Sequence, residues 1–166
     1  MSKILSIDFE YDHDYTLLGI HTPLEDFRLA FLINDKLELK LRKYKEDLDL
    51  FLKNEKSSFS IYIFDDTHKM MTWSLITNKN ITKETSISQS GNLFDDPPIQ
   101  SYLIPEKKQV DFFLKMDSQL AYEETKELIN KIKTINQIVT LYTIDPNDLK
   151  SRDNLIFETN PDFIYQ

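Results

Sequence analysis

The chain has 166 residues, a length typical of one domain, and a chain of this size hides roughly 70% of its extended surface on folding. Hydrophobic residues make up 40% of it, which is too apolar for a disordered tail. The absence of cysteine excludes disulfides, cysteine-ligated zinc, iron–sulfur clusters and thiol nucleophiles. No run approaches the roughly 20 apolar residues of a membrane span, and Asp8 interrupts the N-terminus before a signal-peptide core, so we expect a cytoplasmic protein with no membrane partner.

The formal net charge of −8 repels phosphate backbones, so nucleic-acid binding would require a local cationic patch. Four cations do crowd one stretch, and four acids flank them: Lys40, Arg42, Lys43 and Lys45 lie among Glu38, Glu46, Asp47 and Asp49. A solvated surface of mixed charge is the favoured interpretation, and a nucleic-acid partner is disfavoured.

The N-terminal part predicts two strands and a helix. Apolar residues alternate over residues 3–11 and again over 15–21, with a turn at 12–14, so a hairpin is expected. Thr22, Pro23 and Glu25 then form the clearest local signal, because a threonine N-cap, a first-position proline and a glutamate at N3 predict a capping box. The apolar residues that would pack this helix on the sheet, until about residues 34–35, are Leu24, Phe27, Ala30 and Phe31.

Further strands are predicted along the middle of the chain. Leu37, Leu39 and Leu41 alternate with charged residues and predict a third strand, whereas residues 47–53 fit a short helix or an extended segment equally well. Residues 58–64 and 70–76 predict a hairpin that turns at 65–69. Residues 78–101 are rich in Asn, Thr, Ser, Lys and Gln, and we expect a mobile polar loop there.

The C-terminal part predicts a strand–helix–strand unit. The alternation of Val110, Phe112, Leu114 and Met116 indicates a sixth strand, and a helix from about residue 118 has one apolar face. That face comprises Leu128, Ile132 and Ile135. Residues 138–144 predict the last strand, the helix is long enough for a right-handed parallel crossover, and Asp145 with Pro146 predicts a short helix. Residues 156–166 either pack on the domain or extend from it without packing.

These elements predict a single α+β domain over residues 1–166. Its sheet would be mixed, mostly antiparallel and of about six or seven strands, with two main helices on it and the C-terminal strand–helix–strand unit.

Several catalytic motifs are absent. Gly19 and Gly91 are the two glycines, too few for a Walker loop or a G-x-G-x-x-G turn. The histidines His13, His21 and His68 are isolated, without H-E-x-x-H spacing, and we expect each at the surface. There is no G-x-S-x-G elbow. The sequence therefore predicts no cofactor and no serine-hydrolase site.

One acidic motif keeps an enzymatic alternative open. Asp8 and Glu10 follow an apolar strand in a D-x-E pattern that resembles the first motif of the DEDD 3′–5′ exonucleases, where two carboxylates hold a divalent metal. Such a site also needs a His or Tyr four positions before an Asp, and here Tyr142 precedes Pro146 at that spacing. An acidic solvent face is the favoured interpretation, and a metal-dependent phosphodiesterase or nuclease is the alternative.

The stretch LIPEKKQVDFFLK, residues 103–115, holds two carboxylates near the start of a strand. Pro105 biases Ile104 to an extended conformation, which places Glu106 at the strand entry. Asp111 would lie on the face opposite Val110 and Phe112. Either carboxylate is expected to accept backbone amides or to pair with an arginine, Arg28 or Arg42, and this structural role is favoured over a functional one.

The same stretch carries a family resemblance. Ile104-Pro105-Glu106, three residues, and then Val110-Asp111-Phe112 is similar to the signature of the IPExxxVDY family of Bacteroidota, with Phe112 in place of its final tyrosine. The similarity extends through residues 15–20, 58–64, 144–147 and 154–157. The family has no assigned activity, so the resemblance implies a lineage without a mechanism, and any role of the tyrosine hydroxyl does not carry over.

We therefore predict a cytoplasmic, non-catalytic protein-interaction or adaptor domain whose partners are proteins, because catalytic motifs are lacking and aromatic residues are abundant. A homodimer through an exposed strand edge is a further possibility. The predicted contact surface, with the 78–101 loop as a clamp, consists of Ile104, Pro105, Glu106, Val110, Asp111 and Phe112.

Overall fold

A computed structural model describes residues 14–52, 55–82 and 99–158. Its strands are β1 (Thr16–His21), β2 (Arg42–Lys43), β3 (Leu48–Leu52), β4 (Glu55–Phe59), β5 (Ile61–Asp66), β6 (Met71–Thr77), β7 (Lys79–Thr82), β8 (Ile99–Tyr102), β9 (Phe112–Met116) and β10 (Thr140–Ile144). The helices are α1 (Asp26–Leu37) and α2 (Tyr122–Ile132), with short 3-10 helices at Pro105–Lys107, Pro146–Asp148 and Arg152–Leu155.

The centre of the fold is a six-stranded sheet in the order β10, β1, β9, β6, β5, β2. All neighbours in it are antiparallel, as are the two separate hairpins, β3 with β4 and β7 with β8. The predicted α+β class, with a mostly antiparallel sheet and two helices, is confirmed.

The C-terminal unit β9–α2–β10 has a strand inserted in it. Both β9 and β10 pair antiparallel with β1, one on each side, so they run in the same direction with β1 between them. Both edges of β1 are thus paired within the described residues, and the hairpin that we predicted with residues 3–11 falls on a segment outside them. Residues 1–13 themselves lie outside the described residues.

Each face of the sheet is covered by its own apolar core. The two helices cover one face, where Leu29, Ile33 and Ile132 pack on strand residues such as Leu114. The opposite face packs under the segments around the 3-10 helices. Its buried residues include Phe59, Phe113, Leu103, Ile104, Val110 and Leu155. Strand β9 is buried on both sides as a result.

The start of α1 differs from the prediction. The hydroxyl of Thr22 donates to the carbonyl oxygen of Gln137 (2.8 Å) and accepts from the N–H of Leu24 (3.3 Å), so it does not cap the helix. The helix begins at Asp26, with Glu25 in the N-cap position and no side-chain cap. The predicted capping box is wrong because a long-range contact takes the threonine hydroxyl.

The buried face of α1 also differs from the prediction. Leu29, Ala30 and Ile33 are its buried residues, whereas Phe27 and Phe31 are exposed. Apolar residues occur around most of this helix, and the face that packs is rotated relative to the predicted one. Of the predicted core positions, Ala30 is fully confirmed and Leu24 is partly buried.

The strand predicted from Leu37 to Leu41 is wrong. α1 continues through Leu37 and ends at Glu38, whose φ of 55° is left-handed. Asn34 then fixes the following loop, since its side chain accepts from the N–H of Leu41 (2.8 Å) and donates to the carbonyl of Leu41 (3.0 Å). Leu39 and Leu41 are buried without forming a strand, and the pairing with β5 begins at Arg42.

The predicted strand 58–64 is divided at Ser60 between β4 and β5, which pair in different sheets. The Ser60 hydroxyl donates to Asp26 (2.6 Å) and accepts from Lys43 Nζ (2.6 Å) at this break. Residues 48–52 are extended, and the predicted β5–β6 hairpin is confirmed. Its turn is held by Asp66, whose carboxylate accepts from the N–H groups of His68 and Lys69.

The ends of the predicted 78–101 loop are ordered. Asn78 is buried, and β7 pairs with β8 from Lys79 opposite Tyr102 to Thr82 opposite Ile99. Residues 83–98 lie outside the described residues. The C-terminal predictions are confirmed for β9, for β10 and for Asp145, whose side chain caps the 3-10 helix Pro146–Asp148. The predicted helix begins at Tyr122 and not near residue 118; Leu128 and Ile132 are on its buried face, whereas Ile135 is buried beyond its end.

Candidate functional site

The segment that carries the family resemblance is organised by the buried amide of Asn78. Its Nδ2 donates to the carbonyl oxygens of Lys107 (2.9 Å) and Val110 (2.8 Å), and its Oδ1 accepts from the N–H of Ile104 (2.9 Å). Its backbone N–H also donates to the carbonyl oxygen of Asp111 (2.9 Å). These bonds satisfy the buried amide and fix the backbone from 104 to 111. The sequence offered no signal for Asn78 beyond its position after a strand.

Asp111 lies where β1, β9 and the start of β7 meet. Its Oδ2 accepts from the N–H of Thr22 (2.9 Å) and contacts Nδ1 of His21, while its Oδ1 accepts from Nζ of Lys79 (2.5 Å). β1 and β9 are antiparallel and pair Ile20 with Phe112. Continuing this register by one residue places His21 opposite Asp111. The carboxylate therefore joins three segments that are distant in sequence.

The contact between His21 and Asp111 resembles the arrangement in which a carboxylate orients an imidazole as a general base. The group activated in such an arrangement is a side-chain nucleophile, a bound water or the substrate itself. No side chain among the described residues other than Asp111 is hydrogen-bonded to His21, and the neighbouring Thr22 hydroxyl is donated to Gln137. Within the described residues, the pair links the end of β1 to the residue that precedes β9.

Glu106 fastens the C-terminal segment to the same region. Its Oε1 accepts from the N–H of Ser151 (2.7 Å), and its Oε2 accepts from the Ser151 hydroxyl (3.0 Å). Partial burial acts to raise the pKa of Glu106, but these bonds and further backbone donors outweigh it and hold the pKa below its usual value. Asn154 adds a bond from Nδ2 to the carbonyl oxygen of Leu103 (2.8 Å).

The six residues of the predicted contact surface are placed very differently. Ile104, Val110 and Phe112 are buried, so a partner would not touch their side chains directly. Glu106 and Asp111 accept backbone N–H groups, as predicted for a structural role, and their partners are Ser151, Thr22, His21 and Lys79 and neither arginine. Pro105 is exposed, and with Glu106 it is the part of this surface open to direct contact.

A second surface was missed by sequence reasoning. Phe27 and Phe31, one helical turn apart on α1, are 55% and 70% exposed. Together with Leu24 and Arg28 they form what we name the α1 outer face. An open groove of about 530 Å³ runs along it and is completed by Leu32 and Gln137. Aromatic residues and arginine are enriched in the cores of protein–protein interfaces.

The two edges of the main sheet differ in their protection. β2 is two residues long, and both of them, Arg42 and Lys43, are basic. Residues 138–144, which include β10, contain no charge, proline or glycine, and within the described residues β10 pairs only with β1. Short charged edges resist strand addition, whereas uncharged ones permit it. The β10 edge is therefore the more receptive of the two.

The other predicted features are placed as follows. Asp8 and Glu10 lie outside the described residues, and the described part of the chain contains no group of three potential ligands that could hold a metal ion. Within it, no helix is both long and apolar enough to cross a membrane. In the cationic stretch, Lys43 pairs with Asp47 (2.7 Å), in keeping with a surface of mixed charge.

Comparison with known proteins adds no relative. No family model matches the chain, no curated protein matches it, and no solved structure matches it. The resemblance to the IPExxxVDY family thus stays a prediction from the residues quoted above.

Proposed function

We propose that this chain is a non-catalytic protein-interaction domain and that the α1 outer face is its contact surface. The observation that carries the proposal is the exposure of Phe27 and Phe31 on consecutive turns, beside an open groove. The two phenylalanine rings expose apolar surface to water. A partner that covers this surface would be stabilised by about 25 cal/mol per Å² of apolar area removed from water.

The chemistry of this surface favours a protein over other partners. The chain has a net charge of −8, which disfavours polyanions. The groove is apolar, and among the described residues Arg28 is the one charged residue that lines it. An apolar side chain or an amphipathic helix of a partner fits such a groove. Membership of the IPExxxVDY family and a cytoplasmic location are parts of this proposal, and cell fractionation checks the location.

Site-specific photocrosslinking in the native cell tests the proposal. A benzoylphenylalanine at position 31 reports on the α1 outer face, and one at position 109 reports on the surface around Pro105 and Glu106. Tyr122, an aromatic residue on α2 that is 77% exposed, is the matched control position. We expect discrete protein adducts from position 31 that are absent from position 122.

A substitution next to position 31 tests whether the crosslinks depend on the α1 outer face. Phe27→Ala should remove the adducts from position 31 while leaving the thermal unfolding curve unchanged, because Phe27 is exposed. Adducts from position 109 and none from position 31 would indicate that the contact surface is the one predicted from the sequence. Equal adducts from 31 and 122 would contradict the proposal, and a solution mass together with the adduct mass shows whether the partner is a second copy of the chain.

A further inference from the structure

A second cleft lies on another side of the helices, where the C-terminal end of α1, the length of α2 and the turn before β6 meet. Its volume is about 530 Å³, within the range of small-molecule sites. We name it the Trp73 cleft. Its floor is apolar, since Leu39, Met71, Trp73 and Leu128 line it and are buried. Its rim carries charges of both signs.

The indole of Trp73 is an unsatisfied donor. The residue is 4% exposed, and among the described residues its Nε1 has no hydrogen-bond acceptor. Trp73 lines the floor of the cleft, so an apolar group of a bound molecule would pack on it.

Some charged residues of the rim have an ion-pair or hydrogen-bond partner, and others form no ion pair within the described residues. Lys131 pairs with Glu127 (2.9 Å), and Glu124 accepts from the N–H of Ala121 (3.0 Å). The four others are exposed and form no ion pair within the described residues: Asp35, Lys36, Glu38 and Lys69. The carbonyl end of α1 lies among them and adds a partial negative charge.

The two acids and the C-terminus of α1 are complementary to the ammonium group of a zwitterion. The two lysines are complementary to its carboxylate. We propose that the Trp73 cleft binds a small zwitterion with an apolar body, of the size of an apolar dipeptide. Its ammonium group would be held by Asp35 and Glu38, and its carboxylate by Lys36 and Lys69. The apolar side chains would cover the floor. This site is separate from the α1 outer face and does not depend on the proposed function.

The chain has one tryptophan, so its indole N–H gives a single resonance that reports on the cleft. The probe is leucyl-leucine, titrated into the full chain and followed by NMR and calorimetry. We expect a saturable shift of that resonance. N-acetyl-leucyl-leucine and leucyl-leucine amide, which each lack one charge, should bind about tenfold more weakly because one charge-assisted contact is lost.

Variants separate the cleft from a nonspecific effect. Lys69→Ala should weaken binding about tenfold, and Lys56→Ala, an exposed lysine on β4, should leave it unchanged. No saturable shift with millimolar leucyl-leucine, equal binding of the capped peptides, or equal binding by Lys69→Ala would overturn the proposal.

Discussion

The side-chain amide of Asn78 donates to the carbonyl oxygen of Val110 at 2.8 Å, inside the protein and across 32 positions of sequence. The same amide bonds to Lys107 and Ile104, so one side chain supplies partners to three backbone groups of the segment that enters β9. The backbone there has little regular secondary structure, and its buried polar groups would otherwise be unpaired.

Asn78→Ala should therefore be strongly destabilising. Three backbone groups lose their partner in a buried setting, and we expect the free energy of unfolding to fall by about 3 kcal/mol. Urea denaturation followed by circular dichroism measures this. Asn80→Ala is the control, because Asn80 is partly buried on β7 and its side chain has no hydrogen bond within the described residues; it should change stability by less than about 0.5 kcal/mol. Similar losses for both variants would contradict the role of Asn78.

Asp111→Asn should weaken the junction of β1, β7 and β9. The variant keeps the shape of the side chain but removes the charge that faces His21 and Lys79, and we expect a loss of about 2 kcal/mol. Asp65→Asn, at an exposed site with no ion pair in the described residues, is the matched control. If Asp111→Asn instead retains full stability and abolishes the crosslink from position 109, Asp111 belongs to a contact surface.

Glu106 should make stability depend on acidic pH. Its pKa is lower in the folded chain, so the unfolded chain takes up a proton first as the pH falls. The stabilisation is fully present above the unfolded pKa of about 4.3 and is lost as the pH falls through the folded pKa.

We expect Glu106→Gln to be about 1 kcal/mol less stable than the native chain at neutral pH. The difference between the two should shrink on acidification, as measured by urea midpoints at a series of pH values. Glu46→Gln, at an exposed site, should run parallel to the native chain at every pH. A gap between Glu106→Gln and the native chain that stays constant down to acid would show that the carboxylate charge is not responsible.

Lys115 is buried between two aromatic rings, and its charge should be dispensable. Its Nζ lies 4.9 Å from the ring centre of Tyr15, 5.0 Å from that of Phe157 and 3.0 Å from Oδ1 of Asp117. Lys115→Met keeps the volume and should change stability by less than about 1 kcal/mol, since Asp117 is half exposed and can be hydrated. Lys115→Ala leaves a cavity and should lose about 2–3 kcal/mol in thermal unfolding. Equal losses for both would assign the stabilisation to the charge.

The sequence predicted the elements whose burial follows a simple period. β1, β6, β9 and β10 all alternate or are continuously apolar, and each lies within a residue or two of its predicted bounds. Periodicity failed at Leu37, Leu39 and Leu41, because alternation of leucine with charge does not reveal a left-handed residue such as Glu38. It also failed to choose the buried side of α1, where apolar residues occur on both sides of the helix.

The candidate site could be predicted only in part. The carboxylates Glu106 and Asp111 were recognised, as was their capacity to accept backbone amides. Their partners were not, because His21 is 90 positions from Asp111 and Ser151 is 45 from Glu106, and no local pattern encodes such contacts. The exposure of Phe27 and Phe31 depends on which side of α1 packs, and that is decided by tertiary structure.

The place of β1 between β9 and β10 bears on how the chain is made. Its residue Leu17 is aligned with Lys115 on one side and with Ile144 on the other. During synthesis β1 therefore lacks a partner for one edge until residue 116 has been made, and a partner for the other until residue 144 has been made. Pairings so distant in sequence slow folding and expose the nascent chain to aggregation, and a fragment that stops before residue 140 would leave β1 half paired.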